Sequence, residues 1–294
     1  MTKKLLTLIL LCMAILPAMA AGEGTVALPF LRINQDPASA AMGDVALRNN
    51  AASDVWLPGH GAAGLSWQQW TPDASRFLSA GGYGRFAGRF AVRAGFSKQS
   101  ETPYDLYDDN AQAIGSFTPG SFQAGAGLSV RITDQWSAGI QGLYARRQLA
   151  AESQLGAFAA NAAVMGVFGS ISLAGGIQAL GSSVQAASGD KFPLPTSLFL
   201  TSGYQATFGE QHALLAALEA EYYLYGAPSV SAGLEYSWKQ MIQVRAGYHY
   251  GGLIPSHASA GLGLDIHGVC LQFTYLAGAG SIGGSMLIGA GYRF

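Results

Sequence analysis

The sequence predicts an all-β fold: a transmembrane, outer-membrane antiparallel β-barrel of about fourteen strands with an N-terminal plug segment. Four observations predict it. Charged residues are 11% of 294, against about 25% in ordinary soluble domains. Hydrophobic residues reach 50%, yet no segment after the first twenty positions reads cleanly as a membrane-spanning helix. The 40 glycines are about double the usual share and disfavour helix interiors. Apolar and polar residues also alternate with period two in segment after segment, as in strands with one lipid-facing side. The abundant aromatics argue against disorder, and a formal net charge of −1 argues against a basic nucleic-acid binder.

The elements follow in order. Residues 1–20 read as a signal peptide. Lys3 and Lys4 form a positive start, Leu5 to Leu16 an apolar core, and Ala18-Met19-Ala20 a small-residue cleavage site. The apolar run is too short for the roughly 20 residues of a spanning helix. Cleavage before Ala21 leaves Cys270 as the single cysteine, so no internal disulfide is possible. Residues 21–60 lack alternation. Ile33-Asn34-Gln35-Asp36-Pro37 reads as a turn before the small-residue run Ala38–Gly43, and the apolar Phe30, Leu31, Met42, Val45, Val55 and Trp56 suit an ordered plug or hatch.

Residues 61–294 then read as the barrel. Strands are expected near Gly61–Trp70, Ser75–Gly84, Gly88–Ser97, Ser121–Ile132, Trp136–Gln148, Gln154–Phe168 and Ser170–Leu180. Seven more follow near Thr196–Phe208, His212–Tyr225, Ser229–Trp238, Ile242–Tyr250, Ala258–Ile266, Val269–Ala277 and Gly284–Phe294. The even count suits a bacterial single-chain barrel. Tight connections such as Thr133-Asp134-Gln135 and Lys239-Gln240 alternate with the long Lys98–Gly120 and Gly181–Pro195, the rhythm of periplasmic turns and outer loops. Leu155–Gly181 carries no charge, but its glycines and polar residues favour a hairpin turning near Gly169-Ser170 over a helix. Aromatics gather at strand ends, among them Trp67, Trp70, Trp136, Tyr223, Trp238 and Tyr250, as interface belts would require. Alternation across a three-residue turn also predicts a register in which Glu235 opposes Arg245 on the lumen face.

The segment Phe30-Leu31-Arg32-Ile33, followed by Asp36-Pro37-Ala38-Ser39-Ala40-Ala41-Met42-Gly43-Asp44, resembles the amino-terminal signature of the PorV/PorQ family. Shorter likenesses continue through Gly115–Pro119, Gly233–Tyr236 and Val244–Tyr248. Leu57-Pro58-Gly59 stands where family members often have Asn-Pro-Ala. The resemblance implies a FadL-like barrel of fourteen strands serving the type IX secretion system. It implies protein partners there, either cargo signal domains or components of a cell-surface attachment complex. The alternative is a FadL-like transporter of small hydrophobic molecules across the outer membrane.

No catalytic, metal or cofactor pattern stands out, so the chain is read as a non-enzyme. The five histidines have no metal-ligand spacing, and the paired-glycine fragments belong to no P-loop. The candidate site is instead a lumen-facing polar network of Arg89, Arg93, Arg131, Arg147, Glu219, Glu221, Glu235, Arg245, His249 and Arg293. It would serve as structural filling or as a polar pathway. Tyr104, Leu106, Tyr107, Phe117 and Phe192 in the outer loops are the candidate partner-binding residues. Expected surroundings are outer-membrane lipid, a secretion apparatus or a small hydrophobic ligand, and no nucleic acid.

Overall fold

The computed structural model describes residues 26–108, 110–150, 153–186, 189–278 and 284–294. The expected leader 1–20 and its cleavage site lie outside the described residues. Period-two segments become strands β1 (Gly61–Trp70), β2 (Ser75–Phe86), β3 (Phe90–Ser100), β4 (Tyr104–Tyr107), β5 (Ala113–Phe117) and β6 (Gly120–Arg131). Next come β7 (Trp136–Ala150), β8 (Ser153–Phe168), β9 (Ile171–Gly181), β10 (Val184–Gln185), β11 (Lys191–Phe192) and β12 (Ser197–Phe208). The last six are β13 (His212–Tyr223), β14 (Ser229–Trp238), β15 (Ile242–Gly251), β16 (His257–Ile266), β17 (Val269–Gly278) and β18 (Ser285–Arg293).

Fourteen of these close into an antiparallel barrel, with β1 between β18 and β2. The predicted fold class and strand count therefore hold. Leu155–Gly181 is the β8–β9 hairpin, and among the described residues no helix is long and apolar enough to cross a membrane. The remaining four strands form two small hairpins, β4–β5 and β10–β11, inside the segments expected to be plain loops. Short turns gather at one end of the barrel and the hairpins at the other, here the turn end and the loop end.

Parity fixes the wall. Val92, Val244, Leu271 and Phe273 are exposed on the outside, while Ala91, Arg245 and Thr274 are buried. Trp238 pairs with Ile242 and Glu235 with Arg245 across the three-residue turn. Two aromatics assigned to the belts instead point inward. Trp70 shares a face with Ser66 and Gln68, and Tyr223 with Glu219 and Glu221, so both are buried. Arg89 also departs from expectation. Ala87 and Gly88 take left-handed conformations, which delays β3 to Phe90 and leaves Arg89 exposed in the turn.

The chain from residue 26 to residue 60 lies inside the wall. Ala27 donates its N–H to Pro193 at the loop end, and His60 donates to Phe294 at the turn end. Between them the chain makes one circuit of the barrel. The Pro37 carbonyl accepts from Thr274 on β17, and the Ala41 carbonyl accepts from Ser259 on β16. Ala46 N–H donates to Glu219 on β13, and Ala52 accepts from Ser137 on β7. Asp54 then reaches Arg93 on β3. Glycine makes room for this path. A Cβ on Gly233 or Gly247 would overlap the backbone at Met42 and Gly43, and one on Gly139 would overlap the Ala51 carbonyl.

Candidate functional site

The lumen is the site, and its chemistry differs from end to end. Near the turn end every inward charge meets an opposite charge or a carbonyl. Arg93 grips buried Asp54 with two nitrogens, Nε at 2.7 Å and Nη2 at 2.5 Å. Arg131 donates to the Val55 carbonyl at 2.8 Å and lies 4.4 Å from the centre of the Trp56 ring. Arg293 pairs with Asp265. Glu235 accepts from Arg245 at 2.7 Å and from Arg48 at 2.9 Å. Low dielectric makes such pairs strong once formed and costly to break.

Further along, Glu219 and Glu221 project from β13 into the lumen because residues two apart share a strand face. Glu219 accepts from Thr201 at 2.6 Å and from Ala46 N–H at 2.9 Å. Glu221 accepts from Arg32, from Ser197 at 2.5 Å and from the Tyr223 hydroxyl at 2.7 Å. Burial opposes the charge on Arg32, but Glu221 and Tyr223 outweigh it and raise its pKa. Arg32, Glu219, Glu221 and Tyr223 border a polar cavity of about 270 Å³ between residues 31–49 and the wall, which also reaches Asp36, Asp44 and His249. His249 is fully engaged: Nδ1 meets Ser231 Oγ and Nε2 meets the Gly251 carbonyl, each at 2.9 Å. Its ring stacks 5.3 Å from that of His257, which faces Asp44 at 3.4 Å.

Toward the loop end the lumen turns apolar. Leu28 and Phe30 pack with Trp70, Phe77, Leu276 and Leu287; Val184 and Phe192 of the β10–β11 hairpin and Leu194 just after it join them. The wall is irregular beside this cluster. Ala179 has φ +50°, the β8–β9 register shifts between Ala160 and Ala162, and Asn161 Oδ1 accepts the Ala179 N–H in place of a ladder bond. The β9–β12 ladder ends at Gln178–Ser197. Above it Thr196 Oγ1 donates to the Ala179 carbonyl at 2.8 Å.

Nine of the ten expected network residues face the lumen, Arg89 being the exception. Arg147 stands apart from the rest, paired with Glu101 at 2.8 Å near the loop end. Sequence reasoning missed the partners Arg32, Arg48 and Asp54, which all come from the internal segment and follow no period. It also missed Asp265 and Arg85; their inward parity on β16 and β2 was the available signal. Of the loop candidates, Tyr104 and Tyr107 are exposed, Leu106 and Phe117 half-buried, and Phe192 packs on the apolar cluster. Among the described residues no group of three His, Cys, Asp or Glu side chains is placed to hold a metal ion.

No family model matches the sequence, and no curated protein matches it. Solved structures do match in fold. The Ralstonia pickettii toluene transporter TbuX has a TM-score of 0.62 at 12% identity, covering 90% of this chain and 100% of its own. The Pseudomonas putida toluene transporter TodX has a TM-score of 0.56 at 12% identity, covering 94% of this chain and 99% of its own. At that identity the likeness is one of fold: an outer-membrane β-barrel similar to those of hydrocarbon channels.

Proposed function

We propose that this barrel is an outer-membrane channel for small apolar molecules, exported by the leader at residues 1–20, with its loop end outward and residues 26–60 as its internal closure. The observation that carries the reading is the apolar cluster beneath the loop end, which adjoins the interrupted wall at Ala179. Leu194 of that cluster lies against Gly181, two residues from the interruption. An apolar solute entering between the hairpins would meet Leu28, Phe77 and Leu194, then leave sideways into lipid without crossing the ionic half. The toluene transporters TbuX and TodX lend support by fold.

The experiment is uptake of radiolabelled toluene by cells expressing the protein. A Cys270→Ser chain carrying Ala179→Cys and Thr196→Cys would be oxidised to tie the wall shut and then reduced. Expected are uptake above cells lacking the barrel, loss on oxidation and recovery on reduction. Uptake equal to that of empty cells would overturn the function; uptake indifferent to the disulfide would overturn the lateral route.

A second reading, protein docking in a type IX secretion system, follows the PorV/PorQ resemblance and is favoured by the β4–β5 hairpin. Tyr104, Tyr107 and Ile114 are exposed there at 40%, 60% and 65%. Affinity capture with wild-type protein and with Tyr107→Ser and Ile114→Ser would distinguish it. Co-purifying secretion components lost in the variants would favour docking; the same captured set from both would remove it.

A further inference from the structure

The outward-facing wall holds almost no charge, and what it holds is gathered in one place. Among the described residues the outward strand positions carry three cations, Arg76 on β2, Lys98 on β3 and Arg146 on β7, and no carboxylate. Parity sets their direction. Arg76 shares a face with exposed Leu78, Lys98 shares one with exposed Phe96, and Arg146 alternates with Ala145, which is fully buried inside.

The register brings the three together. Lys98 is opposite Phe122, and Phe122 is opposite Arg146, so the two cations sit about 10 Å apart across two strand spacings. Arg76 is opposite Ser100, the position two beyond Lys98, and so lies diagonally next to it. All three stand toward the loop end. Leu78 and Phe122 lie level with Lys98 on the neighbouring strands, and Phe96 on β3 and Phe158 on β8 lie below, all exposed. From Trp136 to Tyr144 the outward face of β7 spans about 20 Å of membrane height for a strand tilted near 40°, which puts Arg146 at the headgroup level. Long basic side chains reach such a level by extending their stems along apolar surface. Neither Arg76 nor Lys98 has an acidic partner among the described residues, and Arg146 makes only a 3.5 Å contact with Gln148.

We propose that Arg76, Lys98 and Arg146 form a docking site for a phosphorylated, multiply acylated glycolipid of the outer leaflet. The phosphate sits among the three cations, and the acyl chains run down over Phe96, Phe122 and Phe158. Charge complementarity selects the headgroup, and the aromatic wall beneath it accepts several chains at once. The proposal rests on the loop end facing outward and is independent of what passes through the lumen.

The test uses the full-length barrel purified in non-ionic detergent and titrated with monophosphoryl lipid A under native mass spectrometry. Parallel titrations use the same lipid without phosphate and phosphatidylglycerol. Each cation near an anionic surface contributes enough that removing all three weakens binding about 100-fold. Expected are one lipid A per wild-type barrel, about 100-fold weaker binding by the triple variant Arg76→Gln, Lys98→Gln, Arg146→Gln, and a similar loss without phosphate. Lys98→Gln alone, which leaves two cations, weakens binding about five-fold and covers a triple variant that does not fold. Arg146→Lys keeps most of the affinity. Equal binding by wild type and either glutamine variant, or equal binding of the two lipid A forms, overturns the site. Phosphatidylglycerol binding as tightly as lipid A overturns the glycolipid assignment.

Discussion

The two ends of the lumen hold the same internal segment by opposite means. At the turn end, residues 37–60 are fixed by directional contacts: Asp54 on Arg93, Arg48 beside Arg245 on Glu235, and backbone pressed against glycines of the wall. At the loop end, Leu28 and Phe30 are held by packing against Trp70, Phe77 and Leu194, and the first ionic anchor comes only at Arg32, on Glu221. Apolar contact is non-directional and tolerates rearrangement, whereas a buried ion pair has one good geometry. The turn-end half is thus built to stay in place and the stretch before Arg32 to yield, which suits the proposed channel with solute entering at the loop end.

The largest effect should come from breaking the ionic half. Glu235→Ala leaves Arg245 buried without a partner, at a cost of about 3–5 kcal/mol. Arg48 loses the same partner but is 45% exposed, so water compensates it. Removing Arg245 as well should therefore recover much of the loss. Thermal unfolding, followed by the shift in electrophoretic mobility on heating, checks this. A double variant as unstable as the sum of the single ones would mean that the pair is not coupled.

Truncation in the apolar half comes next. Phe77 is 1% exposed, and Phe77→Ala should cost about 3 kcal/mol through lost burial and a cavity. The effect should also be local. Limited proteolysis should cut residues 26–31 faster while residues 32–60 stay protected by their own anchors, beginning with Arg32 on Glu221. Equal acceleration over both stretches would erase the distinction between the halves.

Glycine approach supplies a smaller effect on the turn-end side. Gly247 faces Met42 and Gly43 so closely that an added methyl must displace backbone, and overpacking of this kind costs about 1–3 kcal/mol. Gly247→Ala should lower the unfolding temperature and expose the Met42–Asp44 stretch to protease. Gly142, with nothing near its missing side chain, is the control and should accept alanine. If both behave alike, the close approach is not what orders the segment.

Much of this architecture was legible because a strand states its own geometry. Val244 and Arg245 are adjacent and must point opposite ways, and the turn after Trp238 then sets Glu235 against Arg245. Strand ends were harder. Trp70 and Tyr223 look like belt residues by type and position, and only counting parity from Gln68 and Glu221 turns them inward. The internal segment was least legible, because it has no repeating period. That Asp54 meets Arg93 and Arg48 meets Glu235 depends on a path around the whole wall, which no local pattern contains. Gly233 and Gly247 could be read as close-packing positions, but not which backbone they admit. The kink at Ala179 carried no signal, since an alanine gives no hint of a left-handed backbone.

The smallest effect concerns how the segment is fastened to β7. Ser137 is fully buried; its hydroxyl donates to the Ala52 carbonyl at 2.8 Å and accepts from Trp56 Nε1 at 2.7 Å. Ser137→Ala removes both bonds at once, but Trp56 is only half-buried and its N–H can turn to water. The Ala52 carbonyl is left as the one group without compensation, so the cost should be about 1 kcal/mol. Trp56→Phe removes the indole donor while keeping a ring for Arg131 to stack on. In that background Ser137→Ala should cost less than in the wild type, because one of the two bonds is already gone. The difference is small but measurable as a shift in unfolding temperature. Strictly additive losses would show that the indole bond adds nothing, and that the turn-end half is held at β7 by the Ala52 bond alone.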